Sequence, residues 1–550
     1  MRLDFDTCYR AVLARDPRFD GRFFTGVSST GIYCRPICPA RTPARRNMRF
    51  FPHAGAAEAA GFRACRRCRP EVSPGSPDWN VRADLAARAV RLIADGYVDE
   101  HGVAGLARRL AVTDRHLRRL LLAELGATPL ALARTTRLQT ARRLLTETGM
   151  PITEIAFASG FASVRQFNAS FAEAYGQPPS ALRTSVPRDA GPRRLPALTG
   201  NGRDPKPGAA PPGLPAGAVS RGGLGGSTPR ASTADGDWLT LRLACREPFD
   251  GQALLAFLAA RAVPGVETVS GRRYARTIHA PGGPGVIQLT VPDSAAGQVL
   301  LRLRLAGVRG TGQVVSRARQ LLDLDADPHA IAAALSSDEI LAPLAAARPG
   351  LRVPGAYDGF ELAVRTVLGQ QVSVAAARTF AGRLAARLGT RLEPGPGPAG
   401  SGELPDLLFP GPEDLAEADL TGLGLTTGRQ RTLRALAAAA ASDRLALGPG
   451  ADPEETAARL AELPGIGPWT ISYVLMRAVA DPDAFPAGDL GVQRAMARLG
   501  CEPGHEQRWR PWRAYATVHL WAAGPGLPAQ PEQPGSREDG NRSADLIPVP

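Results

Sequence analysis

Hydrophobic and polar positions divide the chain into stretches of different period. Over residues 80–185 apolar residues recur at helical spacing, in two similar units. In the first, Val103-Ala104-Gly105-Leu106-Ala107-Arg108-Arg109-Leu110 precedes Val112-Thr113-Asp114, and then Leu117 and Leu120 stand among Arg115, His116, Arg118 and Arg119. In the second, Ile152-Thr153-Glu154-Ile155-Ala156 leads through Ser159-Gly160-Phe161 to Ser163-Val164-Arg165-Gln166-Phe167-Asn168, where Ser163 and Gln166 have the spacing of a capping box. A helix, a tight turn and a capped polar helix is the grammar of a helix-turn-helix, so the region reads as an all-α paired helix-turn-helix domain. Past residue 237 the period becomes two. Leu239-Thr240-Leu241-Arg242-Leu243 alternates as a strand, an amphipathic helix follows from Leu254, and further strands run to about residue 307, a small antiparallel α/β domain. Residues 314–525 return to helices.

Breakers set the boundaries. Residues 191–230 hold 18 Gly or Pro among 40 and no aromatic residue, too little apolar surface to fold, and read as a linker. Glu393-Pro394-Gly395-Pro396-Gly397-Pro398 reads as a surface loop, and the residues after about 525 as a disordered tail. The expected organisation is multidomain α+β: a small α/β module at 1–78 carrying four clustered cysteines, the paired helix-turn-helix at 79–185, the linker at 186–236, the α/β domain at 237–313, an all-α domain at 314–525 and the tail at 526–550.

A chain of 550 residues is too long for one core, and its net charge of +14 is uneven. Basic residues outnumber acidic ones 28 to 16 over residues 1–185 and 7 to 3 over 186–236, but stand at 31 to 33 over 237–550. The first half is therefore the stronger electrostatic surface for DNA phosphates. No run of about 18 apolar residues exists, and Met1-Arg2-Leu3-Asp4-Phe5-Asp6 is no signal peptide, so a cytoplasmic protein with reduced thiols is expected. Cys8, Cys245 and Cys501 are scattered and read as small buried hydrophobes.

The other four cysteines are clustered. Cys34 and Cys38 form a C-x3-C pair, and Cys65 and Cys68 a C-x2-C pair after 26 intervening residues. Two such chelates suit a tetrahedral zinc, and the spacing by itself leaves a purely structural site open. The flanks Tyr33-Cys34-Arg35-Pro36-Ile37-Cys38 and Gly61-Phe62-Arg63-Ala64-Cys65-Arg66-Arg67-Cys68-Arg69-Pro70 resemble the amino-terminal domain of the Ada-type adaptive-response regulators. The resemblance implies Zn(2+) on all four cysteines, with Cys34 accepting methyl groups from DNA phosphotriesters. Zinc with four thiolates carries a formal −2 charge that repels phosphate, and methylating one sulfur leaves −1, so damage strengthens DNA binding at contact range. Arg35, Arg45, Arg46, Arg66 and Arg67 are candidate phosphate contacts.

The two helical units, with Phe171 and Gly176-Gln177-Pro178-Pro179 closing the second, resemble the paired DNA-reading domain of AraC-type activators. That resemblance places Arg115, His116, Arg118 and Arg119 on the first recognition helix and Arg165, Gln166 and Asn168 on the second. Arg, Gln and Asn are side chains that pair in bidentate fashion with guanine or adenine edges. Double-stranded DNA and, for activation, RNA polymerase are the implied partners.

In Leu463-Pro464-Gly465-Ile466-Gly467-Pro468-Trp469-Thr470, Gly465 and Gly467 permit a sharp turn and close approach to a phosphate at a helix start. Alone, this helix-hairpin-helix means sequence-independent DNA contact, or an ordinary interhelix turn. Phe485-Pro486-Ala487-Gly488-Asp489-Leu490 adds a carboxylate downstream. Together they are similar to the helix-hairpin-helix glycosylase superfamily. Gly350-Leu351-Arg352-Val353-Pro354-Gly355, Val367-Leu368-Gly369-Gln370-Gln371-Val372-Ser373, Trp512-Arg513-Ala514-Tyr515 and His519-Leu520-Trp521 narrow the resemblance to the AlkA-type alkyladenine glycosylases over residues 239–525. It implies that Asp489 is catalytic, that Phe257, Trp469, Tyr473 and Trp521 line the base pocket, and that Gln371, beside Val372, stands where the family carries an apolar wedge. No lysine follows the hairpin, so hydrolysis without strand cleavage is expected, and the Pro-Cys-His-Arg motif of the guanine-O6 methyltransferase is absent. The whole reads as a self-methylating regulator fused to a monofunctional glycosylase for alkylated purines of the 3-methyladenine and 7-methylguanine class. The alternative is a regulator whose second half is only a DNA clamp.

Overall fold

The computed structural model describes residues 5–15, 19–68, 70, 85–184, 238–291, 297–393, 403–448 and 450–523; the expected linker, all but Glu393 of the expected loop and the expected tail lie outside the described residues. After the helix Phe5–Ala14 comes a four-stranded sheet, β1 (Phe24–Val27), β2 (Ile32–Cys34), β3 (Met48–Phe51) and β4 (Arg63–Ala64), in the order β3-β1-β2-β4. β1 runs antiparallel to β2 and β3, whereas β4 lies parallel to β2 with Ala64 opposite Tyr33. The short helix Ala54–Ala59 supplies the crossover that a parallel pair requires. Gly26 has no side chain for a reason: a Cβ there would stand 2.7 Å from the Phe51 ring and 3.0 Å from Phe62, which pack together across the sheet at 5.4 Å.

The next domain is helical, as the periodicity predicts. Its two recognition helices are Asp114–Leu125 and Val164–Tyr175, each 12 residues long. Both start at a hydroxyl cap, Thr113 accepting from the His116 N–H and Ser163 from the Gln166 N–H, and both end at a left-handed glycine, Gly126 and Gly176. The expected capping box is only half formed, because the return bond from the Gln166 side chain is not made among the described residues. Leu117, Leu121 and Leu125 in the first helix, and Phe167, Phe171 and Tyr175 in the second, bury one stripe and leave the basic residues outside. The 19-residue helix Pro129–Glu147 joins the two units.

The sheet predicted beyond residue 237 is five-stranded and wholly antiparallel: β5 (Leu239–Ala244), β6 (Glu267–Ser270), β7 (Arg273–Ile278), β8 (Gly285–Thr290) and β9 (Gln298–Leu305), ordered β5-β9-β8-β7-β6. Helix Gly251–Arg261 precedes β6. β5 is an edge strand, and it is covered by helix Pro129–Glu147, whose Glu147 carboxylate accepts the Arg242 N–H at 3.0 Å. Leu138, Leu144 and Leu145 of that helix share one apolar cluster with Leu241 and Leu243.

The remaining helices form a second core around Gly359–Leu368, where Val364, Val367 and Leu368 are fully buried. A third cluster joins the last described helix, Arg513–Ala522, to Leu341, Val492 and Trp509. No helix among the described residues is long and apolar enough to cross a membrane.

Candidate functional site

The four clustered cysteines converge because two strands share a direction. β2 ends at Cys34 and β4 is followed by Cys65, whose N–H bonds the Tyr33 carbonyl at 3.0 Å, so both chelating turns leave the same end of a parallel pair. The sulfurs of Cys34, Cys38, Cys65 and Cys68 all lie within 4.8 Å of one another. A tetrahedron with Zn–S arms of about 2.3 Å has edges of about 3.8 Å, so the donor set fits zinc in number, softness and spacing. As thiols the four compete for protons. Hydrogen bonds with Cys38 push Cys34 up, and those with Cys34 push Cys68 up, while bonds with Cys34 hold Cys65 down and Cys38 down to about 7. A divalent cation is what lets all four ionise together.

Two of these sulfurs are further stabilised by backbone donors, Cys68 accepting the Arg35 N–H and Cys65 the Arg67 N–H, each at 3.4 Å. Those two are buried, whereas Cys34 and Cys38 are partly exposed.

The candidate phosphate contacts separate here. Arg35 is not available: its guanidinium grips the Asp20 carboxylate, Nε to Oδ1 at 2.9 Å with Nη2 closing the fork, and Nη1 donates to the Cys68 carbonyl at 3.2 Å. Burial beside that carboxylate makes it a brace of the cluster and corrects the expectation from sequence. Arg45 pairs with Asp6 and lies 5.0 Å over the Phe5 ring, while remaining exposed. Arg66 bonds Gln177 at the end of the second helix-turn-helix unit, and Arg46 and Arg67 are exposed.

On the first recognition helix Arg115, His116, Arg118 and Arg119 are all exposed, as are Arg165, Gln166 and Asn168 on the second. Arg118 reaches Asp114 one turn back at 3.5 Å, and Arg119 meets the His116 ring at 3.4 Å. The zinc module is anchored to this domain by Glu58, which accepts the hydroxyls of Tyr33 at 2.8 Å and Thr135 at 2.6 Å.

Around Asp489 the structure brings together residues from far along the chain. Asp489 caps helix Leu490–Arg498, its Oδ1 accepting the Gly491 N–H at 2.9 Å and the Val492 N–H at 3.1 Å. Both tryptophans expected in the pocket also donate to it, Trp521 Nε1 to Oδ1 at 3.0 Å and Trp469 Nε1 to Oδ2 at 3.3 Å. The helix start favours the anion electrostatically as well. A Cβ on Gly491 would stand 3.3 Å from the Trp521 ring, so the glycine lets the indole lie alongside the carboxylate.

Trp469 stacks on Tyr473 at 5.3 Å, Tyr473 meets Trp521 at 6.2 Å, and Phe257 stacks on Trp521 at 5.9 Å. Sequence reading missed the cations behind this wall. Arg477, in the π turn Leu475–Val479, donates to the Tyr473 hydroxyl at 2.8 Å and to the carbonyls of Pro354 at 2.7 Å and Gly355 at 3.1 Å. Arg261 lies 3.7 Å over the Phe257 ring. Burial raises the Tyr473 phenol, but Arg477 and Arg261 outweigh it and the net shift is downward.

The hairpin is formed as predicted, between helices Pro453–Ala461 and Pro468–Val474. Gly465 has φ +77°, and a Cβ on Gly467 would face open space. Gln370 clamps it, its Nε2 donating to the Gly465 carbonyl at 2.9 Å and to Thr470 at 3.0 Å. The neighbouring Gln371 is exposed at φ +56°, the left-handed region that costs an L residue about 1 kcal/mol.

Comparison with known proteins places four families along the chain: the metal binding domain of Ada at residues 7–71, a helix-turn-helix domain at 106–185, the AlkA N-terminal domain at 240–358, and the HhH-GPD superfamily of base excision DNA repair proteins at 364–509. The chain is 45% identical over 528 residues, 95% of its own length and 97% of the other, to the probable bifunctional transcriptional activator/DNA repair enzyme AlkA of Mycobacterium tuberculosis (strain CDC 1551 / Oshkosh). It is 36% identical over 282 residues, 50% of this chain and 94% of the other, to DNA-3-methyladenine glycosylase 2 of Escherichia coli (strain K12). It is 38% identical over 156 residues, 28% of this chain and 42% of the other, to the bifunctional transcriptional activator/DNA repair enzyme Ada of the same organism.

Proposed function

Because the chain belongs to the family of bifunctional transcriptional activator/DNA repair enzymes that joins Ada and AlkA domains, we propose that Cys34 is its methyl acceptor and Asp489 its glycosylase carboxylate. It is a DNA-binding, zinc-dependent regulator and a DNA repair glycosylase in one polypeptide. The observation that carries the residue assignment is one of exposure and bracing: Cys34 is partly exposed at the end of β2 while Cys65 and Cys68 are buried and hold backbone donors, and Asp489 is braced by both pocket indoles.

Zinc bound to the cluster keeps its sulfurs ionised at neutral pH. Cys34, partly exposed at the end of β2, attacks the methyl carbon of a phosphotriester. The S–C bond forms as the C–O bond breaks, and the phosphodiester leaves with the electron pair. Nothing returns the methyl group, so each molecule reacts once. The protein face beside the DNA loses one negative charge, and the exposed Arg46, Arg66 and Arg67 then meet phosphate with less opposition. The paired helix-turn-helix reads the promoter through Arg115, His116, Arg118 and Arg119 and through Arg165, Gln166 and Asn168, and brings RNA polymerase to repair genes.

In the second half Gly465 and Gly467 hold the backbone of the damaged strand, Gln371 occupies the gap left by the flipped nucleotide, and the aromatic wall of Phe257, Trp469, Tyr473 and Trp521 takes the base. Cleavage sends the glycosidic electron pair into the departing purine. Positive charge grows on the sugar opposite Asp489, where Oδ2 holds a single donor and keeps a lone pair for the anomeric carbon or for the proton of an attacking water. The proposed domain limits are 1–78, 79–185, 237–313 and 314–525 around the linker at 186–236. The test is one reaction of the whole protein with methylated DNA, following released bases and protein-bound methyl together. Base release without protein methylation would leave the zinc site structural, and methylation without base release would make the second half a DNA clamp.

A further inference from the structure

We propose that the regulator half, residues 5–184, and the glycosylase half, residues 238–523, are held together by a built docking surface and act as one body rather than as two domains on a tether. The surface takes the other half of the same chain as its partner, and three groups of reciprocal contacts define it.

At the zinc module, Arg246 of the second half donates from Nη2 to the Asp20 carbonyl at 2.7 Å and from Nη1 to the Asp325 carbonyl at 2.9 Å. Arg246 is buried, and burial brings its pKa down to about 10, so these acceptors replace water that the side chain has lost. Two residues on, Arg22 pairs with Asp327, the buried cap of helix Pro328–Leu335. Asp20 thereby serves two purposes: its carboxylate holds Arg35 against the thiolate cluster while its carbonyl receives the glycosylase half.

The second group lies at helix Leu85–Ala94. Arg88 donates to the Gly450 carbonyl at 3.1 Å and to Asp452 at 2.9 Å. The fit is steric as well as electrostatic, since a Cβ on Gly450 would stand 2.5 Å from Leu92 Cγ and 3.0 Å from the Arg88 carbonyl. Close by, Asp95 meets Arg317 and Gln313, each at 3.4 Å. The third group is the cover over β5, with its Glu147 bond to the Arg242 N–H and the shared apolar cluster.

The contacts run in both directions. Arg22 and Arg88 give cations to the glycosylase half, Arg246 and Arg317 give cations back, and each finds a carboxylate or carbonyl waiting. Each cation that docking takes out of water is matched by an acceptor on the opposite half, so the buried polar surface stays paired. None of these contacts uses a recognition helix or the Gly465–Gly467 turn of the hairpin, so the DNA-reading surfaces of both halves stay open in the docked state.

The experiment uses the full chain with a protease recognition sequence inserted after Lys206, cleaved to completion and run on a sizing column at low micromolar concentration. The nicked halves should elute as one species. Arg22→Glu with Arg88→Glu should raise the dissociation constant of the nicked pair by about 10²-fold or more, so that two species elute. Methyl uptake and base excision report that each half of the variant is folded. If the double variant loses either activity, Arg317→Glu, which sets an acid against Asp95 from the glycosylase side, takes its place with the same expectation. Separate elution of the nicked parental protein, or co-elution of the folded variants, overturns the proposal.

Discussion

In the proposed chemistry the thiolate cluster and the carboxylate pocket each present an anion to an electrophilic carbon that DNA delivers, a phosphotriester methyl in one and the anomeric carbon in the other. The two anions are supported differently. The cluster places backbone donors on the buried Cys65 and Cys68 and leaves Cys34 partly exposed, which suits the proposed nucleophile that forms a bond and keeps it. Asp489 receives two backbone N–H groups and two indole N–H groups, which lower its nucleophilicity and suit the proposed role of stabilising a cation and then being restored. On these assignments the hydrogen bonds an anion already accepts separate the one that attacks from the one that stands by.

The largest break in that contrast is Cys34→Ala, which removes the proposed acceptor sulfur. Methyl transfer from phosphotriester DNA to protein should vanish while base release continues, and labelled methyl still found on the variant would move the acceptor to another cysteine. Next is Asp489→Asn, which keeps shape and most hydrogen bonds but deletes the charge. Base excision should fall by about 10²-fold or more while binding to alkylated DNA persists, and excision at the parental rate would leave the pocket a clamp. Arg165→Ala with Gln166→Ala should touch neither chemistry. Operator affinity should drop by about 1–3 kcal/mol per lost base contact, read in a titration against random DNA, where an equal loss would reduce these side chains to phosphate contacts.

The smallest effect concerns pH. Burial lifts the Asp323 carboxyl to about 7, against hydrogen bonds from Tyr515 and Val353 that oppose the rise. The folded protein therefore holds a proton there that the unfolded chain has released, and this group lowers stability as pH climbs from about 4 to about 7, after which its contribution is level. Asp323→Asn should flatten that slope and raise the melting temperature of the glycosylase half near neutral pH by roughly a few degrees. An unchanged slope would place the titration elsewhere.

What sequence made legible was local. The two chelates, the paired recognition helices with their caps and glycines, the alternating strands and the Gly465–Gly467 hairpin all sit within short windows whose spacing carries the physics. Asp489 was visible as a carboxylate after the hairpin, but its bond to Trp521 spans 32 residues and no spacing announces it. Arg35 was misread because its partner Asp20 is one acid among many until β2 brings the two together. Arg477 and Arg261 were invisible for the same reason: with 66 basic residues in the chain, nearly all arginine, residue type says nothing about which guanidinium lies behind an aromatic wall.

The cover that helix Pro129–Glu147 lays over β5 also bears on solubility. An uncovered edge strand is a template for pairing with another chain, and proteins that carry one blunt it with charge, bulges or proline. Here the blunting is supplied from the other functional half, by a helix whose Glu147 occupies an N–H that β5 would otherwise offer to a neighbour. A glycosylase half produced without its regulator therefore exposes an adhesive edge, and truncating the chain for convenience invites aggregation that the intact polypeptide avoids.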